Sequence, residues 1–253
     1  MNMFSQLQKD LKKLANPQKA KIVGHFKTGK GEYGEGDKFL GIMTGPVQDL
    51  ARKYKDLSFL DLQTLLNGEF HEERTLAVMI LVGQFKKSEG RRVEREKIFN
   101  FYLKNTKRIN NWDLVDISAP HIVGESVCQA VGRSDGQTVR ESDDQSVRAQ
   151  REILYKLAKS ENLWERRISI MATFAFTREN DFTDTLKISE ILLSDKQDLI
   201  HKAVGWMLRE IGKRDQQVEE AFLDKFVTRM PRTMLRYAIE KFPEKKRQEY
   251  LRK

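Results

Sequence analysis

The chain has one cysteine, Cys128, among 253 residues, which excludes an intramolecular disulfide and any cysteine-based zinc cluster. Its four histidines, His25, His71, His121 and His201, are scattered and show no metal-ligand spacing, so neither a metal nor another cofactor is expected. Only five prolines occur, and none falls between Pro120 and Pro231. Strict apolar–polar alternation is nearly absent, which argues against strands. The longest apolar stretch, Leu76 to Val82, is far too short to span a bilayer. The N-terminal run MNMFSQLQKDLKKL has neither an apolar core nor a cleavage signature. A soluble, cytoplasmic protein with no membrane partner is therefore expected.

What is present is charge and helical periodicity. Charged residues make up 33% and hydrophobic residues 39%, a ratio that suits helices with two unlike faces. Lys and Arg outnumber Asp and Glu by 46 to 37, a net charge of +9, which favours a polyanion such as nucleic acid as partner. Apolar residues recur every three or four positions throughout. The pattern predicts about a dozen helices, at roughly 2–15, 17–28, 46–55, 58–67, 71–87, 91–107, 111–123, 148–160, 162–177, 182–193, 198–213, 215–229, 231–241 and 243–252. Ser58, Asn111 and Pro231 mark three of the starts. The fold class is all-α.

Two stretches break the pattern. Five of the fifteen glycines crowd into Gly29–Gly41, a spacing like that of a phosphate loop. It lacks the G-x-x-x-x-G-K-[ST] pattern and a preceding strand, so a surface connection is the expected reading. Residues 125–146 are polar and glycine-punctuated, which predicts a flexible insertion in a single domain spanning 1–253. A faint repeat is also visible. Arg74-x-x-Ala77-Val78-Met79, Arg166-x-x-Ser169-Ile170-Met171 and Lys202-x-x-Gly205-Trp206-Met207 share the order base, small residue, apolar residue, Met. The last two lie a helix pair apart, as in a solenoid whose inner helices line a concave surface.

Three positions carry residues that their helices do not need for packing. With Asn111 as cap, Asp113 falls in the first turn and complements the helix dipole, while Asp116 joins the stripe Trp112, Val115, Ala119 and Val123. A carboxylate on an apolar stripe must be paired or functional. Arg167 falls inside the apolar arc of its helix and wants a carboxylate or phosphate; pairing with Asp116 or another acid, to join two helices, would satisfy it equally. Trp206 lies off the stripe Ile200, Val204, Met207, Leu208 and Ile211, on a face with Lys202 and Arg209. An aromatic among bases fits nucleic-acid contact, and packing on a neighbouring repeat is the alternative. Trp164 reads as core.

At these residues the sequence resembles the AlkD-like DNA alkylation repair family. The resemblance covers nearly the whole chain: FKTGKGEYGEGDKFLGI, NNWDLVDISAPHIVG, NLWERRISIM, KAVGWMLREIGKRD and MPRTMLRYAIEKFPEKKRQEYL. Its most specific segments are W-D-x-V-D, at Trp112 to Asp116, and K-A-x-G-W-x-L-R-E, at Lys202 to Glu210. The chain departs from the family pattern in the 125–146 insertion and at Gly45 and Asp49. The resemblance implies an α-solenoid of HEAT-like repeats with a concave cationic groove. It implies Asp116 as catalytic carboxylate, Trp112 and Trp206 as tryptophans flanking the deoxyribose, and Arg167 as a DNA-backbone contact; Lys202 and Arg209, on the helix face they share with Trp206, are the further DNA contacts expected. The activity it implies is glycosylase action on cationic N3- or N7-alkylated purines in double-stranded DNA; nothing in the sequence demands more than a monomer. A non-catalytic solenoid that recognises distorted duplex, and a protein-binding scaffold, are the competing expectations.

Overall fold

The computed structural model describes residues 3–20, 26–131 and 151–253, and these form an all-helical protein with no strand among them. The chain folds as two compact units, Met1–Ser118 and Ala119–Lys253.

The first unit holds α1 (Met3–Leu14), α2 (Pro17–Ala20), α3 (Thr44–Lys53), α4 (Phe59–Leu66), α5 (His71–Lys87), α6 (Arg92–Lys104) and most of α7 (Trp112–Ala119). Its centre is α5, against which α3, α4 and α6 pack. Leu76, Ala77, Val78, Ile80, Leu81 and Phe85 are all buried. They lie around most of the helix circumference, as expected of a helix enclosed by neighbours. Each large side chain buried there stabilises by about 1.5–3 kcal/mol. Ser58 caps α4 as expected, its Oγ accepting from the Asp61 N–H at 3.1 Å.

The helix expected over 17–28 is shorter. It is regular over Pro17–Ala20, residues 21–25 lie outside the described residues, and Phe26 to Thr28 are not helical. The chain from Phe26 to Met43 runs in turns and is tied to the start of α5 by a bridge between Lys38 and Phe70. Glu72, at the second position of α5, accepts from the N–H groups of Leu40, Gly41 and Ile42 at 2.8, 2.8 and 3.1 Å. Gly41 must be glycine: its φ is +75°, and a Cβ there would lie 2.2 Å from the Asn16 carbonyl oxygen.

The helix expected to continue to residue 123 changes character at Pro120, and a π turn spans Pro120–Gly124. Proline has no N–H to give the carbonyl four residues earlier, so the regular ladder cannot run through this point. The stretch expected to open a flexible insertion at 125 is instead α8 (Glu125–Val131). Its Val127 is fully buried, and Ser126 Oγ donates to the Ile122 carbonyl at 2.6 Å. Burying one well-placed valine and continuing the helix outweighs the polar composition of these seven positions. The remainder of the expected insertion, 132–146, lies outside the described residues.

The second unit continues with α9 (151–158), α10 (Leu163–Ala172), α11 (Phe174–Arg178), α12 (Thr183–Ile191), α13 (Asp198–Gly212), α14 (Gln216–Phe226), α15 (Arg232–Ala238) and α16 (Glu244–Arg252). Its centre is α13, which packs on α10, α14 and α15 through Ile200, Val204, Met207, Leu208 and Ile211. Asn162 and Asp215 cap α10 and α14, their side chains accepting from Trp164 N and from Gln217 and Val218 N.

The repeat positions have a packing meaning. The small residue marks a close approach: Ser169 Oγ donates to the Leu154 carbonyl at 2.7 Å, and a Cβ on Gly205 would lie 2.4 Å from the Met234 carbonyl oxygen. The base is ion-paired each time, Arg74 to Asp37, Arg166 to Asp195 and Lys202 to Asp198.

Candidate functional site

Helix α7 divides into two arcs. Leu114, Val115, Ser118 and Ala119 are buried, whereas Trp112, Asp113, Asp116 and Ile117 are half-buried. At about 100° per residue the two sets fall on opposite sides of the helix. Asp116 therefore does not sit on the buried stripe with Val115 and Ala119. It lies one turn from Trp112 on the accessible arc, where side chains four apart are neighbours. Beneath it, buried Tyr102 donates to Ser118 Oγ at 2.8 Å, and Ser118 donates to the Leu114 carbonyl at 2.6 Å. Burial, with the nearby Asp116 charge, holds the Tyr102 phenol well above its usual range.

The start of α7 is gripped by a buried polar network. His71 Nε2 lies 2.8 Å from Asp113 Oδ2, and its Nδ1 lies 3.7 Å from Asp37 Oδ2. Asp37 also accepts from Arg74 at 2.6 Å and from Asn111 Nδ2 at 3.2 Å. Asn111 Oδ1 in turn accepts from the Trp112 N–H at 2.8 Å. Burial pushes the His71 imidazolium down, but the Asp113 and Asp37 carboxylates outweigh it and bring its pKa up to about 9. Burial likewise raises Asp37, yet His71, Arg74 and Asn111 hold it below the usual carboxylate range. Aromatic rings complete the arrangement. Phe26 stacks on Trp112 at 5.6 Å between centroids and on Phe39 at 5.1 Å, and both phenyl rings lie against His71, at 4.7 and 5.0 Å.

In the second unit α13 presents Asp198, Lys202, Trp206, Arg209, Glu210 and Lys213 along one side. Trp206 is half-buried, with its Nε1 donating to Glu210 Oε1 at 2.9 Å. Lys213 meets the same carboxylate oxygen at 2.6 Å, Lys202 pairs with Asp198 at 2.9 Å, and Arg209 pairs with Glu240. The stripe is thus a tryptophan set among bases whose charges are partly balanced by acids. Arg167 on α10 is buried, 4% exposed, with its guanidinium donating to the Leu199 carbonyl at 2.5 Å. Its neighbour Arg166 turns to Asp195 at 2.6 Å and to the Ser160 and Glu161 carbonyls. Trp164 is core.

The glycine-rich stretch uses its own acids. The Gly29 N–H donates to Glu32 at 2.7 Å and the Gly31 N–H to Glu35 at 2.8 Å. With Glu72 on the amides of Leu40 to Ile42, carboxylates occupy the donors that a phosphate would need. Among the described residues, no group of three or more His, Cys, Asp or Glu side chains is arranged to hold a metal ion.

A profile of the family described as DNA alkylation repair enzyme matches residues 7–242. The chain belongs to that family. The match takes in α7, α10 and α13, and with them every candidate residue. The fold resembles a solved structure described as a predicted DNA alkylation repair enzyme from Enterococcus faecalis, with a TM-score of 0.64 and 16% identity over 91% of this chain and 97% of that one. No curated protein matches the chain. For this member of the DNA alkylation repair family, sequence reasoning missed His71 and gave Asp113 only a dipole role. The usable signal was a histidine at the head of an otherwise buried helix, next to Glu72 and three residues before Arg74, in a cluster of charges that must find partners.

Proposed function

We propose that the protein is a DNA glycosylase hydrolysing the N-glycosidic bond of cationic N3- or N7-alkylated purines in duplex DNA. The observation that carries the reading is the accessible arc of α7, which sets Trp112 and Asp116 side by side in a DNA alkylation repair enzyme. An alkylated purine of this kind bears a positive charge and leaves as a neutral base, so the leaving group needs no general acid. As the C1′–N bond breaks, its electron pair goes to the purine and positive charge grows on the deoxyribose. The Asp116 carboxylate stabilises that charge and orients the water that adds to C1′, whose proton passes to the carboxylate or to solvent. The face of the Trp112 ring adds cation–π stabilisation.

The second unit supplies contacts to DNA. Lys202 and Arg209 exchange their intramolecular acids for phosphates, and Trp206 lies against the sugar, the role implied for it by the family resemblance. Arg167 is assigned to the backbone on the same ground.

The deciding experiment measures release of 7-methylguanine and 3-methyladenine from methylated duplex by wild type and by Asp116→Asn. Release by wild type, lost in the variant while duplex binding persists, supports the reading. Salt-sensitive duplex binding without any release by wild type sinks it and leaves a non-catalytic DNA-binding protein.

A further inference from the structure

The buried network at the head of α7 is larger than capping one helix requires. Asp37 comes from the glycine-rich segment, His71 and Arg74 from α5, and Asn111 and Asp113 from the start of α7. Two cations, His71 and Arg74, face two anions, Asp37 and Asp113, so the cluster is neutral when all four are charged. The other acid beside it on α5, Glu72, is committed to the amides of Leu40, Gly41 and Ile42. His71 is 4% exposed and is the member common to both halves of the cluster, polar and aromatic. Through Nε2 it holds Asp113, the residue after Trp112. Through its ring it supports Phe26 and Phe39, and Phe26 carries the Trp112 indole.

We propose that His71 is a positioning residue for the α7 face, clamped between Asp37 and Asp113 so that it fixes both the first turn of the helix and the plane of the Trp112 ring. The inference rests on reading Trp112 and Asp116 as the catalytic face. His71 reaches neither the sugar nor the base and acts through the groups it holds. Keeping its proton matters because only the imidazolium can hydrogen-bond Asp113 through Nε2 and at the same time form an ion pair with Asp37. Once neutral, it loses its ion pair with Asp37, 3.7 Å from Nδ1, which is then held by Arg74 and Asn111 alone, and the turn that carries Trp112 is free to shift. A displacement of about 1 Å in a positioned group can cost about a hundredfold in rate.

The test has two arms. In the first, single-turnover release of 7-methylguanine from methylated duplex is followed from pH 6 to 10, with spontaneous loss subtracted, for wild type, His71→Gln and His71→Leu. The glutamine amide can still donate to Asp113, whereas leucine fills the space and donates nothing. The wild-type rate should fall as pH rises through about 9, the pKa that the two carboxylates give His71. In companion steady-state assays, His71→Leu should lose about a hundredfold in kcat with KM nearly unchanged. It should show no inflexion at that pH, and His71→Gln should recover most of the loss.

The second arm needs no catalysis. With Trp164→Phe and Trp206→Phe, Trp112 is the sole remaining tryptophan of three, and its emission should titrate with the same midpoint. Full kcat in folded His71→Leu, or Trp112 emission unmoved by pH and by substitution of His71, overturns the proposal. If wild type releases no base, the glycosylase reading fails separately, and the emission titration alone decides whether His71 positions the ring.

Discussion

Gly212, in the last turn of α13, leaves the space that the Glu219 carboxyl of α14 fills: a Cβ built on it would lie 1.7 Å from Glu219 Oε2. Glu219 is 1% exposed and its Oε1 has no hydrogen-bond partner among the described residues. Burial above all, with Glu220 next and Arg209 opposing, pushes its pKa up to about 8 from an ordinary 4.5.

A carboxyl whose folded pKa is raised contributes stability below its unfolded value and loses it as pH rises through the folded one. The protein should therefore weaken between about pH 4.5 and 8 on account of Glu219. Urea unfolding of Glu219→Gln should show a flatter profile over that window. The variant should also be more stable than wild type at pH 8, by at most about 5 kcal/mol. A variant no more stable at pH 8 than at pH 5, relative to wild type, would show that the carboxyl is not buried as described.

His71 adds a second loss at higher pH with the same sign. Its folded pKa of about 9 lies above the ordinary 6.5, so the stabilisation is complete below about pH 6.5 and gone above about 9. His71→Leu should remove the pH dependence above 7 while lowering stability near neutrality, read by thermal melting at matched ionic strength.

Gly205→Ala should be strongly destabilising although alanine is the better helix former. The added methyl would lie 2.4 Å from the Met234 carbonyl oxygen and 2.5 Å from Tyr237 Cβ, so α15 must move away from α13. A cost of about 1–3 kcal/mol is expected in place of the usual gain of up to about 1 kcal/mol. Equal or higher stability would mean that the two helices are not in such close contact.

Glu72→Gln should loosen the glycine-rich segment before it unfolds the unit. Three backbone donors lose a charged acceptor, and about 2–3 kcal/mol should go with it. Limited proteolysis within residues 29–41 should speed up in the variant; an unchanged cleavage rate would contradict the anchoring role.

Lys202→Ala should weaken duplex binding uniformly across sequences and lower the slope of log affinity against log salt by about 1. Trp206→Ala should reduce base release more than binding. If instead Lys202→Ala leaves the salt slope unchanged, the α13 stripe does not meet phosphates.

Much of the fold is legible in the sequence. The starts marked by Ser58, Asn111 and Pro231 and the three-to-four spacing locate most helices, because those signals are local. The same spacing puts Trp112 and Asp116 on one side of a helix and Trp206 off its packing stripe. Periodicity also misleads. It joins Asp116 to Val115 and Ala119 as one apolar stripe, because Trp112 counts as core and draws the stripe's centre towards itself. With Trp112 on the accessible arc, Asp116 goes with it.

By itself the sequence determined the helical class, the family, the basic balance and the faces of most helices, though not which arc of α7 is buried. Tertiary structure alone decided who pairs with whom. His71 meets Asp113 across 42 positions, Arg209 meets Glu240 across 31, and Asp37 gathers Arg74 and Asn111 from 37 and 74 positions away. A helical period states which way a side chain points, but a buried charge is stabilised by whatever the packing of other helices brings within about 4 Å of it, and no local spacing records that distance.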